Sequence, residues 1–448
     1  MTNNIVLSNI KNVILCVITL LLSIMIGYEV IYFLLYFFIS DLLFLIFNGY
    51  RSLKERNIYF VSFSFLFILS CVLIYHHTYF YEMPFDAYGD DKRFYEWGVS
   101  LKENPFVSTY SIYEKFIAVI FIFYEFFGVG NSVYQVLPIN IVFGAFTIVL
   151  SHRIALNVVG RDVSYFILFL TILLNYSYSQ NVVHLYRDVY VAFFSVIFLL
   201  DVLEKKRRAL LWVVLIMPFR FPNGLILLFL YVFSYLLYLD KNKLLKFLTL
   251  SGFSLVIILA MIFTNASISK YQLGSVDKIV TDRVAKFSGE ASEVGGGMAK
   301  VNSMPAPIRF IINNYAQVIR PISINGLYHP VRESLKNEKI LNHRSIGWGI
   351  TTMSLIFLIG PYFLGVTNII LMRNNLNKDF CLYFIIMCIT IGFFSFLDRH
   401  RVLIIPLLPT VYAIGCSFSS GFSIGIRRNQ LFIILSVLFG GIVIYGVI

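Results

Sequence analysis

Charge is what this chain has least of. Only 13% of its 448 residues are Asp, Glu, Lys or Arg, about half the share of a soluble domain. That scarcity excludes an ordinary water-soluble globular protein. Period-two alternation is absent as well, which excludes a transmembrane β-barrel. Cysteine is sparse: Cys16, Cys71, Cys381, Cys388 and Cys416 each fall inside an apolar segment, without a neighbour at metal-ligand or disulfide spacing. They read as small packing residues. P-loop, HExxH, GxSxG and dinucleotide-binding glycine patterns are missing, so chemistry built on those signatures is not indicated. There is no internal repeat and no heptad pattern. The opening "MTNNIVLSNIK" leads directly into apolar sequence without a small-residue cleavage site, so no removable signal is expected.

What is abundant is apolar surface. Hydrophobic residues make up 58% of the chain and the mean hydropathy is +0.80. Apolar runs of about 17 residues or longer recur throughout, which predicts a polytopic helical membrane protein. Spans are predicted near 12–28, 30–49, 58–75, 132–151, 163–179, 189–203, 209–220, 223–239, 247–265, 346–372, 380–397, 402–422 and 431–448. This gives an all-α bundle of about twelve or thirteen transmembrane helices. The pair 209–220 and 223–239 flanks "MPFRFPNG", whose prolines and Gly224 predict a tight hairpin.

The formal net charge of +12 does not point to nucleic acid. The positive charges sit in short loops, "RSLKER", "EKKRR", "KNKLLK", "RNNLNK" and "RRN", as orientation in a bilayer requires. With these loops inside, residues 76–110, 181–188, 219–223, 266–345 and 398–401 face outward. Parity then suggests that 111–127 does not cross, and its terminal charges and aromatics suit a helix lying along the outer surface; the alternative is a true span with one misread elsewhere. Three regions follow: a membrane bundle over 1–265 carrying outer loop 76–110 and surface helix 111–127, a long outer segment over 266–345, and membrane helices over 346–448.

Charge close to a bilayer core costs a few kcal/mol and calls for a reason. In "GDDKRFYEWG", Asp90 and Asp91 suit a general base or the oxygen ligands of a divalent cation, and equally a solvated loop. Tyr95 and Trp97 suit sugar stacking or an interfacial belt. In "HLYRDVY", His184, Arg187 and Asp188 stand at the entrance of a span, where Arg187 either grips a phosphate or pairs with Asp188. Arg220 at the hairpin tip needs an anion: Asp188, a lipid phosphate or a substrate phosphate. Arg399, His400 and Arg401 form a cationic patch suited to a pyrophosphate or to anionic lipid. The long outer segment is basic, with Arg320 and His329 among its candidates.

An acidic outer loop after early helices, then a surface helix, then a second charged outer loop, is an order that resembles the GT-C superfamily of integral membrane glycosyltransferases. Within it, the Phe/Ile/Tyr richness and long outer segment are most similar to bacterial O-antigen or capsule repeat-unit polymerases. The resemblance implies a GT-C-like fold in the bacterial inner membrane with a site facing the periplasm. It implies transfer of a glycan from undecaprenyl pyrophosphate to a sugar hydroxyl of another lipid-linked repeat. Asp90 or Asp91 would be the base. Arg187, Arg220, Arg320, Arg399, His400 and Arg401 would meet the pyrophosphate, and Tyr95, Trp97, His184, Asp188 and His329 the sugars. The partners implied are lipid-linked oligosaccharide, membrane lipid and a chain-length regulator protein, with no nucleic acid. Cationic side chains can replace a metal, so no cofactor is required. The alternatives are a transferase adding one sugar from a polyprenyl phosphate, and a flippase for the same lipids.

Overall fold

The computed structural model describes residues 2–46, 49–85, 90–102, 112–238, 343–356, 358–371, 376–394 and 403–419. Among these residues every regular element is helical. In chain order they are α1 (Thr2–Ile26), α2 (Ile31–Ile46), α3 (Leu53–Tyr81), α4 (Asp90–Ser100), α5 (Ile112–Phe126), α6 (Val133–Val159), α7 (Tyr165–Leu168), α8 (Tyr176–Val183), α9 (Asp188–Leu203), α10 (Ala209–Ile216), α11 (Phe221–Tyr238), α12 (His343–Ile356), α13 (Ile359–Ile370), α14 (Lys378–Phe394) and α15 (Leu408–Ser419). Among the described residues, three helical stretches are long and apolar enough to cross a membrane: Tyr28–Ile46, Leu53–Tyr79 and Val133–Val159. Two bent pairs would raise the number to five. The expected spans at 247–265 and 431–448, nearly all of the segment 266–345, and residues 398–401 lie outside the described residues.

Two compact units divide the chain. The first contains Met1–Leu200, Pro218–Arg220 and Ile405–Thr410; the second takes the described residues of Asp201–Met217, Phe221–Ile404 and Val411–Ile448.

In the first unit α6 is the central helix, with 83% of its most apolar window buried, against 22% for Tyr28–Ile46. Local sequence sets its limits. The Ser132 hydroxyl accepts from the Tyr134 amide at the start, and Gly160 ends it in the left-handed region at φ 68°. α3 starts in the same way, with Ser52 accepting from the Glu55 amide. The two helices run antiparallel and meet through aromatic rings, with Tyr59 stacked on Phe146 at 4.4 Å; Phe44 of α2 lies 4.0 Å from the same ring. Stacked rings of this kind add about 0.5–1.5 kcal/mol each beyond area burial.

Two expected spans differ from the straight helices their composition suggests. The run 163–179 is broken: a π-helical turn over Phe169–Leu173 separates α7 from α8, and the chain bends by 73°. Hydropathy averages over such a bend and does not register it. α8 then lies close against α6, because a Cβ on Gly144 would sit 2.5 Å from Val182 Cγ1. The Tyr178 hydroxyl donates to the Gly144 carbonyl at 2.6 Å across the same gap. In the second unit, α10 has only eight residues. Its rise of about 12 Å is less than half a hydrocarbon core, so 209–220 is not by itself a full crossing.

The segment 111–127 folds as the 15-residue α5, also shorter than a bilayer core at about 22 Å. It packs against α4, burying Tyr113, Ile117, Phe121 and Tyr124. Its other face exposes Val119, Phe123 and Phe126. The cysteines are all free; Cys71, Cys381 and Cys388 are buried as packing residues, whereas Cys16 and Cys416 are exposed.

In the second unit, Asp201 at the end of α9 is fully buried. It accepts from Arg208 at 2.8 and 2.9 Å and from Trp212 Nε1 at 2.7 Å, so the basic "EKKRR" turn is tied down by its own acid. The Ser234 hydroxyl of α11 donates to Asp379 of α14 at 2.6 Å.

Candidate functional site

Several helix ends of the first unit converge on one buried carboxylate. Asp91 stands in the first turn of α4, where exposed amides favour a negative charge. It is only 1% exposed. Its Oδ2 lies 2.6 Å from Nδ1 of His184, 93 positions later in the chain and likewise buried. His184 is where α8 stops: its backbone turns extended, at φ −118° and ψ 169°. The acidic loop and the "HLYRD" segment, joined only by inference in the sequence, therefore touch through these two side chains.

The pair is incompletely satisfied. Among the described residues, Asp91 Oδ1 and His184 Nε2 have no hydrogen-bond partner. Leaving such an atom buried and unmatched costs about 1–3 kcal/mol, and each case calls for an explanation. Here both side chains line a narrow cleft, together with Leu73, Ile74 and His77 of α3, Pro84, Phe85, Val133, Leu137, Val183 and Leu185. The free space is on the order of one water molecule. The His77 ring stacks on His184 with centroids 5.7 Å apart.

Behind His184 lies a fully buried polar relay. Asn140 Nδ2 of α6 donates to the His184 carbonyl at 2.7 Å. The Tyr190 hydroxyl of α9 donates to Asn140 Oδ1 at 2.6 Å. Tyr190 is itself fixed by rings, with Phe219 stacked at 5.5 Å and Tyr113 at 5.6 Å. Tyr113 of α5 lies within the electrostatic reach of Asp91, Asp188 and Arg187 together.

The cations divide into two kinds. Arg220 has the first of its expected anions: its Nη2 lies 2.7 Å from the buried Asp188 Oδ1. The contact is an ion pair, although its angle is poor for a hydrogen bond. Arg187 is half-buried and makes no ion pair with a carboxylate among the described residues. It stands outside the lining of the cleft.

The aromatic candidates are engaged structurally. The Tyr95 hydroxyl donates to the Asn131 carbonyl at 3.2 Å, and its ring sits between Phe85 and Phe121. The Arg93 guanidinium covers a face of Trp97 at 4.2 Å from the ring centroid. Asp90 opens α4 beside Asp91. Arg320, His329, Arg399, His400 and Arg401 lie outside the described residues. No group of three or more His, Cys, Asp or Glu side chains suited to a metal ion occurs among the described residues.

His77, Asn140, Tyr113 and Tyr190 were not legible as site residues. Asn140 and Tyr190 lie in apolar runs, His77 just after one and Tyr113 in the surface segment, and each differs from a packing residue only through a contact made in three dimensions. Compared with models of known families, with curated proteins and with solved structures, the chain matches none.

Proposed function

We propose that this protein is a membrane glycosyltransferase of GT-C-like type that polymerises lipid-linked oligosaccharide repeats. The observation that carries the reading is the buried Asp91–His184 pair, with one open atom on each partner beside a water-sized cleft. A buried acid–imidazole pair can take a proton from a hydroxyl, and the free space matches the size of a hydroxyl group.

In the proposed reaction the acceptor hydroxyl enters the cleft and gives its proton to the pair. Its oxygen forms a bond to the anomeric carbon of the donor glycan as the bond from that carbon to pyrophosphate breaks. Negative charge accumulates on the leaving polyprenyl pyrophosphate. Arg187 is the candidate to meet it, because Arg220 is already matched by Asp188. Energy comes from the lipid pyrophosphate linkage, so no nucleotide is needed. The reading places the site at the periplasmic face of a bacterial inner membrane, with the basic loops on the opposite side.

The test is reconstitution of the full chain in liposomes with an undecaprenyl-pyrophosphate-linked oligosaccharide, followed by gel analysis of the products. The expected result is a ladder of repeats for wild type and its loss in Asp91→Asn. Addition of one sugar without a ladder would replace the polymerase by a single-sugar transferase. Movement of the intact lipid across the bilayer without new linkages would replace the enzyme by a flippase.

A further inference from the structure

We infer that His184 is the proton acceptor of this site and that Asp91, Asn140 and Tyr190 are positioning residues acting through it. The inference rests on the glycosyl-transfer reading for its chemistry but not for its geometry. An imidazole has two distinct nitrogens, and the partner of one decides what the other can do. Nδ1 faces Asp91 Oδ2 at 2.6 Å. With Asp91 ionised, Nδ1 must carry the hydrogen to satisfy that contact, and Nε2 is left as a bare lone pair. Nε2 is the atom without a hydrogen-bond partner among the described residues. The carboxylate favours the imidazolium that forms when Nε2 takes a proton, so the acceptor hydroxyl's proton ends on Nε2 while Asp91 stays ionised.

The relay behind the ring serves the same end. His184 has left the α8 helix, so helical hydrogen bonding does not fix it. Asn140 holds its carbonyl instead, and Tyr190 fixes which way the Asn140 amide faces. Three helices, α6, α8 and α9, thereby fix the backbone that carries the imidazole, and α4 sets its tautomer. This arrangement exceeds what an apolar packing position requires.

Solid-state NMR on the full chain in lipid bilayers tests the tautomer directly, with ¹⁵N-labelled histidine and aspartate labelled at its carboxyl carbon. Two His–Asp pairs occur among the described residues, His184–Asp91 and His152–Asp162. Recording the spectrum on Asp162→Asn leaves the first as the pair to be read. The groups that stand against the ring are Asp91 of α4, His77 of α3 and Tyr186. The expected result at neutral pH is a protonated Nδ1 next to the carboxyl carbon and an unprotonated Nε2. A protonated Nε2, in either a neutral or a charged ring, overturns the inference.

Kinetics in liposomes then tests the division of labour. His184→Gln is expected to lower turnover by about 10²–10⁴-fold. Asn140→Leu and Tyr190→Phe are expected to lower kcat with KM little changed, and to mix the His184 tautomers in the NMR spectrum. Full turnover in His184→Gln, or kinetic loss without tautomer mixing in both relay variants, overturns it. Absence of any glycan transfer by wild type would remove the glycosyl-transfer reading, while the NMR result would still decide the tautomer.

Discussion

At one end of α3 and α6, Glu55 meets Arg153 through two hydrogen bonds of 2.8 and 2.6 Å, and Arg153 also reaches the Gly49 carbonyl. Glu55 takes a further hydrogen bond from the Arg51 amide at 2.6 Å. Nearby, Asp41 is gripped by Arg56 in a fork at 3.2 and 2.6 Å. At the other end of the same helices, Asp91 meets a histidine through one oxygen and leaves the other open. The carboxylates are comparably buried, Glu55 and Asp91 at 1% each and Asp41 at 7%, so burial does not separate them. Satisfaction does. A fully matched charge holds helices in register, whereas a half-matched one keeps capacity for a ligand atom, and it is the second kind that marks chemistry.

The largest expected effect breaks the saturated end. Arg153→Leu leaves Glu55 buried beside one backbone amide, and removing one member of a buried pair costs about 3–5 kcal/mol. Unfolding by denaturing detergent in mixed micelles should show that loss. Glu55→Leu combined with Arg153→Leu should recover most of it. The open end should respond in the opposite sense. Asp91→Asn keeps a group able to contact His184 Nδ1, so stability should change by less than about 1 kcal/mol, while glycan transfer falls by about 10²-fold or more. Equal stability losses at both ends would erase the distinction.

The sequence showed the helical membrane class, most helix positions and the two charged loops that meet. These are properties of composition and of order along the chain. Asp91 and His184 were each visible as polar residues at the mouth of an apolar run. Their contact spans 93 positions and follows a 73° bend between α7 and α8 that leaves no trace in hydropathy. Among the arginines, the sequence offered Asp188 as a partner to both Arg187 and Arg220 and could not choose between them. "RD" at 187–188 suggests a local pair, but Asp188 is taken by Arg220 across the fold.

An intermediate effect should come from the packing that holds Asp91. Gly98 lies seven residues after Asp91 on α4, on the same helical face. A Cβ there would sit 2.4 Å from Ile117 Cγ2 of α5. Gly98→Ala should therefore push α4 and α5 apart, at a cost of about 1–3 kcal/mol, and lower transfer by about tenfold through misplacement of the acid. Gly98→Ala with Ile117→Ala should restore transfer, because the clash is with one side chain. Failure of the double variant to recover would show that α4 does not position the site.

The smallest effect belongs to Asp162, the exposed member of the saturated end. Burial tends to raise its pKa, but hydrogen bonds from Lys54 and His152, at 2.5 Å each, outweigh it and hold the carboxyl below its ordinary 3.8. A carboxyl depressed in the folded state adds stability above its unfolded pKa, and that contribution fades as pH falls through the folded value. The side chain is 54% exposed, so solvent screening keeps the contribution small, under about 1 kcal/mol. Asp162→Asn should lower the melting temperature slightly at neutral pH, and the difference from wild type should shrink as the pH falls below 4. Transfer should be unchanged throughout. A change in transfer would mean that the two ends of the unit are coupled, and that the saturated end does more than hold the helices in place.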